Sequence, residues 1–173
     1  QVKFHTLVNF AEQKRKALKI IKCDQRFVKQ AKIEYIILKS LNENNVKNVA
    51  KMEEMFMFRG HPCFVFELYF SKNLYLEMKD NNFKGMSIGL VQKIAYQLLE
   101  ALRDFHKLGI IHCDLKPENI IFENNMIKDK IKVIDFGSSC YVLNKTHNYI
   151  QSRYYRSPEI ILMLNYDTKV DIW

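Results

Sequence analysis

Ile111-His112-Cys113-Asp114-Leu115-Lys116-Pro117-Glu118-Asn119 is the stretch on which the reading of this chain turns. A carboxylate, an ammonium and an amide follow one another at Asp114, Lys116 and Asn119, between two segments of strong pattern. Upstream, over 88–108, Val91, Ile94, Ala95, Leu98, Leu99, Leu102 and Phe105 recur three and four apart, which predicts a long amphipathic helix closed by Gly109. Downstream, the apolar runs 120–122 and 131–134 flank the polar residues 123–130 and predict a hairpin. The polar stretch is therefore a loop held between a helix and a sheet.

Working outward, Val2, Phe4 and Thr6 alternate with polar neighbours, and an apolar run covers 17–21. The pattern predicts two strands joined by a polar loop over 9–16. Over 27–41 the spacing turns helical, with Phe27, Ala31, Glu34 and Leu38 near one face and Asn42, Asn44 and Asn45 closing it. The runs 52–58 and 63–68 around Arg59-Gly60-His61-Pro62 predict a second hairpin. Polar interruptions follow at 71–73 and 80–84, and 137–157 is polar and aromatic with little periodicity.

Composition bounds the function. The 173 residues, 48% hydrophobic, suit one domain with a real core, and no apolar run of about 18 residues is present. Cys23, Cys63, Cys113 and Cys140 lack metal-ligand spacing, which argues for reduced thiols in an intracellular setting. The net charge of +8 comes from lysines spread along the chain without interleaved aromatics. It reads as a solvated surface with no requirement for DNA or RNA.

The quoted stretch matches H-x-D-L-x-x-x-N, the catalytic-loop pattern of protein kinases. In that pattern Asp114 is the base for an acceptor hydroxyl, Lys116 steadies the transferring phosphoryl group, and Asn119 binds a Mg²⁺. Asp135-Phe136-Gly137, at the end of an apolar strand, supplies a second Mg²⁺ ligand in Asp135. Ala17-Leu18-Lys19 resembles the strand lysine motif, with Lys19 directed at nucleotide phosphates and Glu34 on the following helix as its carboxylate partner. Any one of these residues alone reads as a surface charge or a turn residue; the spaced set does not.

His112-Cys113-Asp114, Asp135-Phe136-Gly137-Ser138-Ser139-Cys140 and the run from Tyr149 through Ser152-Arg153-Tyr154-Tyr155-Arg156-Ser157-Pro158-Glu159 resemble the dual-specificity tyrosine-phosphorylation-regulated kinases over nearly the whole chain. The resemblance implies an α+β, two-lobed kinase fold, with 1–68 in a small lobe and 69–173 in part of a large one. It implies ATP and Mg²⁺ as cosubstrate and cofactor. It also implies protein substrates phosphorylated on Ser/Thr, often beside proline, and autophosphorylation of Tyr149. Arg153 and Arg156, four and seven residues on, are placed to pair that phosphate. By the same carry-over Phe66 is the gatekeeper, and Glu67 to Tyr69 form the hinge that binds adenine through its backbone. The family often has two tyrosines in the activation segment; here His147 stands at the first. Cys113 and Cys140 read as buried thiols, with a redox-sensitive pair as the alternative.

Two features depart from the family pattern. The first of five glycines is Gly60, so no G-x-G-x-x-G precedes Lys19, and Gln1-Val2 would be the trailing residues of that loop. Asp171-Ile172-Trp173 resembles the opening of the large lobe's central helix. The expectation is an excerpt of a kinase core cut at both ends, poorly soluble or inactive alone. A non-catalytic scaffold is the rival reading, and a small-molecule phosphotransferase is disfavoured by Ser157-Pro158-Glu159. The expected location is intracellular, in cytoplasm or nucleus or both.

Overall fold

The alternating apolar residues at the start of the chain pair into an antiparallel ladder between β1 (Val2–Asn9) and β2 (Lys14–Ile21) in the computed structural model, which describes residues 2–9, 14–69, 72–124 and 126–173. The ladder runs further than the expected loop over 9–16, because Asn9 pairs with Lys14. Once register is set, backbone hydrogen bonds carry pairing through polar positions whatever the side chains. Residues 10–13 and Gln1 lie outside the described residues, as does Ser71 of the expected interruption at 71–73.

β3 (Met52–Phe58) and β4 (His61–Glu67) complete a four-stranded sheet in the order β1-β2-β4-β3. Arg59 and Gly60, with φ of 48° and 80°, form the tight turn between them. That left-handed pair matches the twist of the strands it joins. His61 and Pro62, expected in the turn, already belong to β4. Pro62 pairs with Met57 of β3, whereas pairing with β2 begins at Cys63, so its missing N–H interrupts no ladder on that side.

Between β2 and β3 runs α1 (Gln25–Glu43), capped by the Asp24 carboxylate on the Arg26 N–H at 2.9 Å. Its buried residues are Ala31, Glu34, Ile37, Leu38 and Leu41. Phe27, expected on that face, is exposed, and the buried stripe of α1 begins at Ala31. α2 (Leu74–Asp80), capped by Asn73, fills a stretch in which the sequence pattern shows no element. The predicted long helix is α3 (Ile88–Lys107), followed by Gly109 at φ 72°. Ile94, Ala101, Leu102 and Phe105 are buried, whereas Val91 and Leu99 of the apolar stripe are exposed.

Beyond α3, β5 (Ile110–Ile111) pairs with β8 (Cys140–Tyr141), and β6 (Ile120–Phe122) with β7 (Ile131–Val133). A four-residue helix, α4 (Pro158–Ile161), and a 3-10 turn over Thr168–Asp171 follow, the latter where a helix opening is expected. The architecture is α+β, with the four-stranded sheet preceding the helical part. One apolar cluster joins them: Leu38 and Leu41 of α1, Phe64 of β4, Phe105 of α3 and Phe136 pack together. The loops carrying the candidate residues are hung on this shared core.

Candidate active site

Lys19 is a lysine in the middle of a sheet strand, 2% exposed. Burying an ammonium is tolerable only with charged partners. Two are present: Glu34 Oε1 of α1 at 2.6 Å and Asp135 Oδ1 at 2.7 Å. Burial alone would lower the Lys19 pKa, but Glu34 and Asp135 outweigh it and hold the group above its ordinary value. Burial likewise works against ionised Asp135, and Lys19 overcomes it, keeping that carboxyl below its usual range. Burial dominates at Glu34 and pushes it up in spite of Lys19, and its second oxygen, Oε2, is buried without a hydrogen-bond partner. The ion pair governs the cluster, because Lys19 meets two carboxylates and stays an ammonium between them.

Gly137 borders the same triad. A Cβ built there would lie 3.1 Å from Asp135 Oδ1 and 3.3 Å from Lys19 Nζ, so the bare glycine keeps the charged groups at their spacing.

The quoted stretch closes around Asp114. Its Oδ1 accepts from Ser152 Oγ at 2.7 Å and from the Ser152 N–H at 3.0 Å, and its Oδ2 accepts from Lys116 Nζ at 2.7 Å. Lys116 also donates to Ser152 Oγ at 2.8 Å. Asn119 Nδ2 donates to the Asp114 carbonyl at 2.9 Å, and the Asn119 carbonyl accepts the Ile134 N–H at 2.9 Å. That last bond ties the Asp114 loop to the strand end that carries Asp135. Phe136 is 1% exposed and meets Phe105 and His112 edge-on, with centroids at 5.9 and 4.8 Å.

The backbone at the site is costly. Cys113, Asp135 and Gln151 have φ of 68°, 62° and 66°, a region disfavoured for residues with a Cβ. Each is held by neighbours. Asp171, 7% exposed, accepts the N–H groups of His112 at 2.8 Å and Cys113 at 3.0 Å and lies 3.0 Å from His106 Nε2. Gln151 donates its N–H to the Cys113 carbonyl at 3.0 Å and its side-chain amide to Val170 O at 2.7 Å. Ser152, Gln151 and Asp171 hold the Asp114 loop in place, and the sequence pattern assigns none of them a part in the site.

A cavity of about 150 Å³ lies beside Lys19 and Asp135, with Ala17, Leu38, Ala50, Phe66, Ile121 and Ile134 in its walls. Glu67, Leu68 and Tyr69 line it as well, so the expected hinge does border the expected nucleotide site. The Tyr69 hydroxyl donates to Glu67 Oε2 at 2.9 Å; burial, then Glu67, pushes its pKa up. Apolar walls with a few convergent polar groups suit a planar heterocycle. The residues also fit a divalent cation shared with phosphates. Asp135 and Asn119 offer oxygen donors on linked loops, and Mg²⁺ commonly takes one or two protein oxygens there. Among the described residues no cluster of three or more His, Cys, Asp or Glu forms a separate metal cage.

Beyond Asp114 the chain passes Tyr149. The Arg156 guanidinium lies 3.9 Å over the Tyr149 ring and hydrogen-bonds its hydroxyl, while donating to Ile150 O at 2.9 Å and Gln151 O at 2.7 Å. Arg153 is exposed and is not brought to Tyr149. Cys113 and Cys140 are both buried free thiols with sulfurs 3.7 Å apart. Their hydrogen bond lowers the Cys140 thiol to about 7 and pushes Cys113 up.

Residues 3–173 match the family described as the protein kinase domain. Over 160 residues, 91% of its length, the chain is 48% identical to dual specificity tyrosine-phosphorylation-regulated kinase 2 of Drosophila melanogaster. The same identity and coverage hold for kinases 3 and 4 of that name from Homo sapiens. The chain spans 22%, 27% and 30% of those three proteins, less than a third of each.

Proposed function

This chain belongs to the protein kinase family, among the dual-specificity tyrosine-phosphorylation-regulated kinases, and on that premise we propose that the whole protein transfers the γ-phosphoryl group of ATP to Ser/Thr residues of proteins and to its own Tyr149. The observation that carries the reading is Lys19, buried between Glu34 and Asp135 beside an apolar cavity, with Asp114 on a loop bonded to the same strand end. A pseudokinase has no need to maintain so costly a buried charge cluster.

The chemistry follows from positioning. Lys19 meets the nucleotide's phosphates. The Asp114 carboxylate orients the acceptor hydroxyl and takes its proton as the oxygen–phosphorus bond forms and the bond to the departing diphosphate breaks. Lys116, 2.7 Å from Asp114, offsets negative charge on the transferring group. Asp135 and Asn119 would hold Mg²⁺, which neutralises phosphate charge when bound.

Two finer features have local support. Gln151 lies beside Asp114 in the groove with Ser152, and its carbonyl is turned away by the left-handed backbone and taken by Arg156. A substrate residue that follows the acceptor finds no carbonyl there for its N–H, and proline, lacking an N–H, loses nothing. Arg156, already against the Tyr149 hydroxyl, is the cation that a phosphate on Tyr149 would meet first.

The division into lobes at 68/69 fits the hinge at the cavity edge. Three buried free thiols suit a reducing compartment, cytoplasm or nucleus. Among the described residues no helix is long and apolar enough to cross a membrane.

The test is transfer of labelled phosphate from Mg-ATP to peptides with Ser-Pro and Ser-Ala by full-length protein, with mass spectrometry of Tyr149. Transfer that favours Ser-Pro, with Tyr149 modified, supports the reading. Nucleotide binding without transfer would assign the protein to the scaffold class.

A further inference from the structure

Tyr149 hangs between two anchors. On its C-terminal side the buried Ile150 packs in an apolar cluster with Ile111, Cys113, Ile160 and Tyr166. On its N-terminal side the His147 carbonyl accepts the Tyr166 hydroxyl at 2.6 Å. Tyr166 thus holds the chain on both sides of Tyr149, with only Asn148 between that hydrogen bond and the tyrosine. So short a span leaves the exposed Tyr149 little reach away from Arg156.

The latch comes from a distant part of the chain. Tyr166 follows α4, 19 residues beyond His147, and is 5% exposed. Burial pushes its phenol above the ordinary range, so the group stays a proton donor. The neighbouring Asn165 accepts from Lys145 Nζ at 2.6 Å, and that ammonium lies 4.8 Å over the Tyr166 ring. Residues 142–148 form no helix or strand, so these side-chain bonds do for them what a ladder does elsewhere. The apolar packing of the ring is non-directional, whereas a hydroxyl-to-carbonyl bond fixes where His147 sits. His147, Tyr149, Gln151 and Ser152 line one groove of about 250 Å³ with Asp114. The Tyr166 hydroxyl therefore sets a wall of the groove from behind.

We propose that Tyr166 is a positioning residue for the peptide substrate: its hydroxyl pins the His147 carbonyl and so holds the groove wall beside Asp114, and Tyr149 against Arg156. The nucleotide end of the site lies outside its reach. This rests on the phosphotransfer reading of the site.

The test uses full-length protein with Tyr166→Phe, which removes the hydroxyl and keeps the ring. Tyr141→Phe is the control, because the hydroxyl of this half-buried tyrosine in β8 has no hydrogen-bond partner among the described residues. Tyr166→Phe is expected to raise KM for a Ser-Pro peptide about fivefold, the factor equivalent to one hydrogen bond of about 1 kcal/mol, with KM for ATP unchanged. Amide exchange over residues 142–149 should speed up by a similar factor while exchange over β4 stays at the wild-type rate. Tyr141→Phe should match wild type in all of these. A wild-type peptide KM in Tyr166→Phe would overturn the proposal. So would peptide and ATP KM rising together with faster exchange in β4, which would make the hydroxyl structural only. Exchange is read without turnover, so absent phosphotransfer in wild type would sink the functional reading. Exchange over 142–149 would still decide whether the Tyr166 hydroxyl holds this wall.

Discussion

The four-stranded sheet and the segment 137–157 are built on opposite principles. The sheet is assembled from long ladders and apolar faces, in which each residue adds a little and none is indispensable. The segment has almost no repetitive structure and is held by single hydrogen bonds from distant side chains: Ser152 to Asp114, Gln151 to Val170 and Ser139 to His112. Redundant contacts make a stable platform, whereas a few specific ones make a site that can be rebuilt or released. The two meet where the platform supplies one buried polar residue, Lys19, to carboxylates outside the sheet, Glu34 and Asp135.

If that contrast is right, single substitutions should differ in cost by where they fall. The largest effect is expected at Lys19, the one place where the sheet is not redundant. Lys19→Met leaves Glu34 buried without its cation, and denaturant unfolding of the full-length protein should show a loss of about 3–5 kcal/mol, with transfer abolished. A loss below about 1 kcal/mol would show the triad to be hydrated. Next is Asp171→Ala, which strips the acceptor from the N–H groups of His112 and Cys113. At about 1–2 kcal/mol for each donor, a total of roughly 2–4 kcal/mol is expected, with kcat falling as the Asp114 loop relaxes. Ile21→Val, at a buried position in the sheet, should cost only about 0.5–1.5 kcal/mol and leave kcat unchanged. A larger kcat effect there would break the comparison. The smallest is Ser157→Ala: its hydroxyl is buried without a partner, so removal should be neutral or stabilise by up to about 1 kcal/mol in thermal unfolding.

The same contrast explains what the sequence made legible. Strand pairs and the two long helices follow from periods of two and about 3.6, and they appear within a few residues of their expected bounds. The period locates a helix without stating how much of its stripe is covered, which is why Val91 and Leu99 are exposed on α3. α2, seven residues long, is too short to show a period and is set by the Asn73 cap. Asp114, Asn119, Lys19, Glu34 and Asp135 could be nominated from spacing, and the structure places Glu34 and Asp135 on Lys19 and ties the Asp114 loop to the same strand end. Ser152 and Asp171 could not: their partners lie 38 and 58 residues away, and nothing local marks a serine or an aspartate as a clamp. Arg156 shows the remaining gap, because spacing nominated two arginines for Tyr149 and the bend over Arg153–Tyr155 brings only this one to the ring.

Asp114, held by Ser152, Lys116 and Asn119, is the residue we propose as the base of a phosphotransfer centre. The most direct test of that assignment compares initial rates of full-length wild type and Asp114→Asn at saturating Mg-ATP, with nucleotide affinity measured in parallel. Unchanged ATP affinity is predicted, with a rate lower by about 10²–10⁴-fold, the range expected for loss of a general base. Equal rates in the two proteins would contradict it.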